Sequence, residues 1–148
     1  MAFRFSLQAV LRLRASHERI ERLRLLAVAA MIVRVRNELA ALDRESEAAR
    51  RRMHALLAGG LSGAELHFEF AGERLRGDHR RELEGRLEQL GKTQEVQRRA
   101  YHAARQKREI LENLRQRKWE EYRRQQARRE QQALDELFLI HRGAPSPE

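Results

Sequence analysis

The sequence predicts an all-α fold, a long antiparallel two-helix coiled-coil hairpin, and three observations carry that expectation. Both prolines of the 148-residue chain, Pro145 and Pro147, lie at its extreme end, although about seven are expected at the usual frequency of about 5%. Apolar residues recur at 3-4 spacing in two long stretches. A single glycine-rich punctuation mark separates those stretches. Charged residues make up 36% and aromatics 5% of the chain, too polar a mixture for a thick core but suited to helices that bury one narrow stripe each.

Helix 1 is expected over about 6–57. Val10, Leu13, His17 and Ile20 follow a 3-4-3 spacing and read as its seam. The loop is expected at 58–63, where Ala58-Gly59-Gly60-Leu61-Ser62-Gly63 holds three glycines in five positions. Ser62 has capping-box spacing to Glu65. Helix 2 is expected over about 63–141, with Leu83, Leu87, Leu90, Gln94, Gln97, Tyr101 and Ala104 as a seam interrupted by polar residues. Gly72, Gly77, Gly85 and Gly91 fall inside it, each costing about 1 kcal/mol against alanine. Residues 1–142 then form one hairpin, and 143–148 a disordered tail.

Two helices joined by so short a loop run antiparallel. With the turn near residue 61, residue i faces residue 122−i, and about 50 paired residues span about 75 Å. Helix 1 then ends opposite residue 115 or so, leaving about 116–141 of helix 2 projecting, with Trp119, Tyr122, Leu134, Leu137, Phe138 and Ile140. The apolar block at 25–33, with Leu25, Leu26, Val28, Met31 and Ile32, would face a mostly polar stretch. It reads either as spare contact surface or as extra width in the stripe.

The net charge of +9 is uneven: +6 over 1–57, −2 over 58–95 and +5 over 96–148. In a hairpin the end carrying both termini is strongly basic and the turn end mildly acidic, a polarity suited to steering onto an acidic protein surface. Nucleic-acid binding is a third-ranked reading. Residues 101–130 hold 10 basic and 5 acidic residues, interleaved, whereas a groove-entering basic region is a cleaner positive block.

Catalysis and cofactors are not expected. There is no cysteine, and the six histidines form neither an HExxH pair nor a metal-ligand cluster. Gly91-Lys92-Thr93 imitates the end of a phosphate-binding loop, but five residues separate Gly85 from Gly91 and the stretch between reads as helix. A two-helix rod offers no water-excluding pocket. The longest apolar run, nine residues at 25–33, is far short of the roughly 20 that span a membrane. A cytoplasmic protein with no membrane insertion is expected.

Met1-Ala2-Phe3-Arg4-Phe5-Ser6-Leu7-Gln8-Ala9-Val10-Leu11-Arg12-Leu13-Arg14 resembles the opening of the flagellar export FliJ family. Arg128-Arg129-Glu130-Gln131-Gln132-Ala133-Leu134-Asp135-Glu136-Leu137 resembles its closing segment, and the Gly-Gly-Leu-Ser-Gly turn before Ala64-Glu65-Leu66 is similar to its mid-chain loop. The resemblance covers nearly the whole chain. It implies a non-enzymatic stalk that binds the hexameric export ATPase, promotes ring assembly and ATP hydrolysis, contacts the cytoplasmic part of the membrane export gate and handles export chaperones. It further implies a place at the flagellar basal body, on the cytoplasmic side of the inner membrane. By analogy with a rotary ATPase stalk, the end with both termini enters the ring. Arg4, Arg12, Arg14, Arg123, Arg124, Arg128, Arg129, Asp135 and Glu136 are the ring-facing candidates. Leu66, Phe68, Phe70 and Leu75 are the gate or chaperone candidates. The alternative function is a chaperone-like binder of export substrates that uses the 25–33 block.

Overall fold

The computed structural model describes residues 2–143. The described residues form two helices, α1 (Gln8–Gly59) and α2 (Gly63–Gly143), and no strand. The chain is the expected all-α two-helix fold, with α1 starting two residues later than expected. Gly143 ends α2, and the expected tail beyond it, with Pro145 and Pro147, lies outside the described residues.

The turn is built by its local chemistry. Gly60 has φ +87°, the only positive φ among the described residues, and glycine enters that left-handed region without a Cβ clash. Ser62 then caps α2 with Glu65. The Glu65 amide donates to Ser62 Oγ at 3.3 Å, and the Ser62 amide donates back to Glu65 Oε2 at 2.8 Å. Two amide donors at a helix start, which have no partner within the helix, are thereby satisfied.

The described residues group into two compact units, one of 2–18 with 103–143 and the other of 19–102. The 19–102 unit contains the turn and is an antiparallel hairpin. Its thin core is Val35, Leu42 and Leu83, with Leu39, Leu87 and Leu90 packed around them. Each of the three buried side chains contributes about 1.5–3 kcal/mol by leaving water, and the half-buried leucines less. On α1 the inward positions are Glu21, Leu25, Val28, Ile32, Val35, Leu39, Leu42, Ser46, Ala49 and Met53, an unbroken alternation of 4 and 3. On α2 the expected seam from Leu83 to Gln97 and Tyr101 is buried or half-buried throughout. Asp43 pairs with Arg80, one residue from its expected partner, and Glu21 with Gln97, four from its own. Nearer the turn the seam turns small and polar, with Ser46 and Ala49 on one helix and Glu73 and Arg76 on the other.

Two expectations, one on the start of α1 and one on the end of α2, are corrected. Val10, Leu13, His17 and Ile20 are not the seam: all four are exposed, Leu13 at 68%, while Leu11 is 5% exposed. The strong apolar heptad from Leu25 to Leu42 sets the phase. Stepping back from it by threes and fours reaches 21, 18, 14 and 11, not 20, 17, 13 and 10. Glutamates at 18 and 21 are accepted inward because each has a partner: Glu18 accepts from Arg108, and Glu21 from Gln97 and Arg24.

Nor does α2 project alone from residue 116. Phe3 packs edge-on against Trp119, with ring centroids 5.3 Å apart, and lies 5.6 Å from Tyr122, which stacks on Trp119 at 5.8 Å. Residues 2–5 have no regular structure, and Ser6 and Leu7 form a turn into α1, where the Gln8 amide donates to Phe5 O at 3.1 Å. Residues 127–143 are all exposed.

Candidate functional site: partner-binding surfaces

The unit holding residues 2–18 and 103–143 brings the ring-facing candidates into one body. Arg4, Arg12, Arg123, Arg124, Arg128 and Arg129 are exposed, and Arg14 is half-buried. Three cations on the preceding stretch of α2 are matched locally, Arg105 with Glu109, Arg115 with Glu112 and Lys118 with Glu121, while Lys107 and Arg117 pair with no carboxylate among the described residues. The Arg105 guanidinium holds the Glu109 carboxyl below its ordinary value, chiefly by its hydrogen bond. Among the described residues, no carboxylate pairs with the six exposed arginines. Exposed pairs are worth about 0–1 kcal/mol, so the pairing matters less for stability than for leaving net cationic charge at these six positions. Asp135 accepts from Gln131 Nε2 at 2.9 Å, and Glu136 is exposed. Leu134, Leu137, Phe138, Leu139 and Ile140 stand at least 60% exposed, an apolar surface that carries Asp135 and Glu136 and follows the arginines at 123–129 along α2.

The gate or chaperone candidates do not form one patch. Leu66 is half-buried, and Phe70, four residues on, is 62% exposed while its inner edge joins Met53, Leu57 and Ala49 around a cavity of about 230 Å³. Phe68 and Leu75, seven apart, share the outward face and are 75% and 70% exposed. Arg76 lies over Gly72 between them, its guanidinium 3.3 Å from where a Cβ would stand. The 25–33 block divides in the same way. Leu25, Val28 and Ile32 enter the seam, while Leu26 and Met31 face out.

Sequence reasoning missed the cross-helix polar pairs Glu18–Arg108, Glu21–Gln97 and Asp43–Arg80. The signal that finds them is the apolar heptad of α1 extended in both directions, which places Glu18 and Glu21 inward. It also missed Phe3 over Trp119, because a segment outside the helix has no heptad phase to read. Gly91-Lys92-Thr93 lies inside α2, with Lys92 paired to Glu88 at 3.5 Å and the Thr93 hydroxyl donating to Gln89 O at 3.1 Å. Its backbone amides therefore belong to the helix. No helix among the described residues is long and apolar enough to cross a membrane.

No curated protein and no solved structure matches the chain. A family model described as the flagellar FliJ protein matches residues 3–143, which takes in both helices, the turn and the aromatic clasp at Phe3. The chain therefore belongs to the flagellar FliJ protein family and is a component of flagellar type III protein export.

Proposed function

We propose that this chain is a non-catalytic stalk that binds the hexameric export ATPase through the unit carrying both termini and links the ring to the export gate through the turn end. The observation that carries this reading is the set of exposed arginines, Arg4, Arg12, Arg123, Arg124, Arg128 and Arg129, that pair with no carboxylate among the described residues and share one unit with the exposed apolar run 134–140. A cationic surface with an apolar neighbour steers onto an acidic ring lining and then gains contact area there. Such a stalk promotes ring assembly by binding several subunits at once. It favours different subunit conformations in turn only if its contacts differ between those states. The outward pair Phe68 and Leu75 is the surface offered to the cytoplasmic part of the gate or to export chaperones. The place of action is the cytoplasmic face of the flagellar basal body.

The test is ATP hydrolysis by the purified export ATPase with and without the full chain. Stimulation that saturates near one chain per hexamer supports the reading. Hydrolysis and ring assembly unchanged at every ratio contradict it.

A further inference from the structure

We propose that the outward face of α1 between residues 19 and 36 docks an acidic amphipathic helix of a partner protein. The seam takes Leu25, Val28, Ile32 and Val35 from this stretch. Five more large apolar side chains, Ile20, Leu23, Leu26, Met31 and Val33, remain 43–58% exposed. Ile20, Leu23, Ala27 and Ala30 repeat the 3-4-3 spacing of a coiled-coil seam on the side away from α2, and Leu26, Ala30 and Val33 broaden it. The small Ala27 and Ala30 at its middle allow a second helix axis to come close.

Charge identifies the occupant. Residues 19–37 carry five arginines and one acidic residue, Glu21. Glu21 is 5% exposed and turned into the seam, where it accepts hydrogen bonds from Gln97 and Arg24. Between residues 19 and 37 the outward face therefore shows no carboxylate, and the next one along α1 is the exposed Glu38. Arg19, Arg22, Arg34 and Arg36 are exposed, and none pairs with a carboxylate among the described residues. On the neighbouring stretch of α2 the acids are already matched, Glu88 with Lys92 and Glu95 with Arg98 and Arg99. An apolar stripe that ends at Arg34, the next position in the 3-4 spacing after Ala30, and is flanked by Arg19, Arg22 and Arg36 is complementary to a helix whose Leu/Ile stripe is flanked by Asp and Glu. A second copy of this chain would bring arginine columns against arginine columns. In-plane membrane helices favour Trp and Phe on the apolar face and Lys as well as Arg on the polar one, and residues 19–36 contain no aromatic and no lysine. The proposal uses none of the ring-facing residues, so it stands or falls separately from the stalk reading.

Two designed helical peptides of about 21 residues, six turns, test it, with the same leucine stripe flanked by glutamates in one and by lysines in the other. Anisotropy titrations with the full chain should show the glutamate peptide binding at least tenfold more tightly. Leu23→Gln with Leu26→Gln should weaken it at least tenfold, and Arg22→Glu with Arg34→Glu should remove the preference between peptides. All four positions are exposed, and unchanged helical circular dichroism verifies that the variants fold. Equal affinity for the two peptides, or undiminished binding by the leucine variant, overturns the proposal. So does binding to phosphatidylserine vesicles that the glutamate peptide does not displace, or a dimer in sedimentation that the leucine variant dissolves.

Discussion

Glu21 of α1 is buried against Gln97 of α2. The Gln97 amide donates both to the Glu21 carboxylate and to its backbone carbonyl, the latter at 3.1 Å, while Arg24 donates to the same carboxylate at 2.8 Å. A polar layer in an otherwise apolar seam costs stability but permits one register, because any slip strands a buried charge. The thin core beside it, three buried side chains and their neighbours, leaves register otherwise weakly specified.

Replacing Gln97 alone by leucine removes the cross-helix donor and leaves the carboxylate under-satisfied, at a cost of about 1–3 kcal/mol. The double variant, Glu21→Leu with Gln97→Leu, should recover that loss or exceed the parent in urea unfolding. Cysteine pairs placed for the native and slipped registers should then crosslink in both. A double variant as unstable as the single one contradicts the register account.

The seam phase makes a sharper comparison between two nearby leucines. Leu11→Ala should destabilise by about 2–5 kcal/mol, whereas Leu13→Ala should fall within about 0.5 kcal/mol of the parent. Denaturant midpoints decide it. Equal losses would place the seam between the two residues.

This pair also marks what the sequence disclosed and what it withheld. The turn, the capping box, the two helices and the α2 seam from Leu83 to Ala104 are legible because each rests on local chemistry or on an uninterrupted 3-4 pattern. The N-terminal phase of α1 is not, because α1 carries apolar residues on two faces there. Val10, Leu13, His17 and Ile20 offer as good a local heptad as Leu11, Arg14, Glu18 and Glu21. Only the distant Val35–Leu42 core, and the partners Arg108 and Gln97 for the inward glutamates, break the tie. Among the functional candidates, the arginines are legible as a cluster of charge. The division of Leu66 and Phe70 from Phe68 and Leu75 follows from the 100° turn per residue, which a set of residues chosen by nearness in sequence ignores.

The glycines within α2 offer a stability test with the opposite sign. Gly85 and Gly91 are exposed, helical, and have nothing within 4 Å of where a Cβ would stand. Alanine at each should stabilise the chain by about 1 kcal/mol, read as a higher melting temperature. A loss at either site would mean that the glycine serves a contact or a bend in a partner complex.

The capping box predicts a pH dependence. Hydrogen bonding from the Ser62 amide, with a further bond from its hydroxyl, holds the Glu65 carboxyl below its ordinary value of 4.5. A lowered carboxyl contributes stability above that pH and loses it as pH falls through the lower folded value. Glu65→Ala removes the carboxyl that the Ser62 amide chiefly holds down, so it should be less stable than the parent at neutral pH, and that gap should narrow below pH 4.5. A gap that stays constant to pH 3 would show that the charge of the carboxyl plays no part in the cap.

The central claim is that ring binding resides in the unit carrying the termini and not at the turn. The most direct measurement is stimulation of the purified export ATPase at physiological salt by two variants of the full chain. Reversal of Arg12, Arg123, Arg124 and Arg128 to glutamate should remove most of the stimulation, about tenfold or more for several lost charge contacts. Phe68→Ala with Leu75→Ala should leave it intact. Stimulation undiminished by the arginine reversals, or lost equally in both variants, would contradict the account.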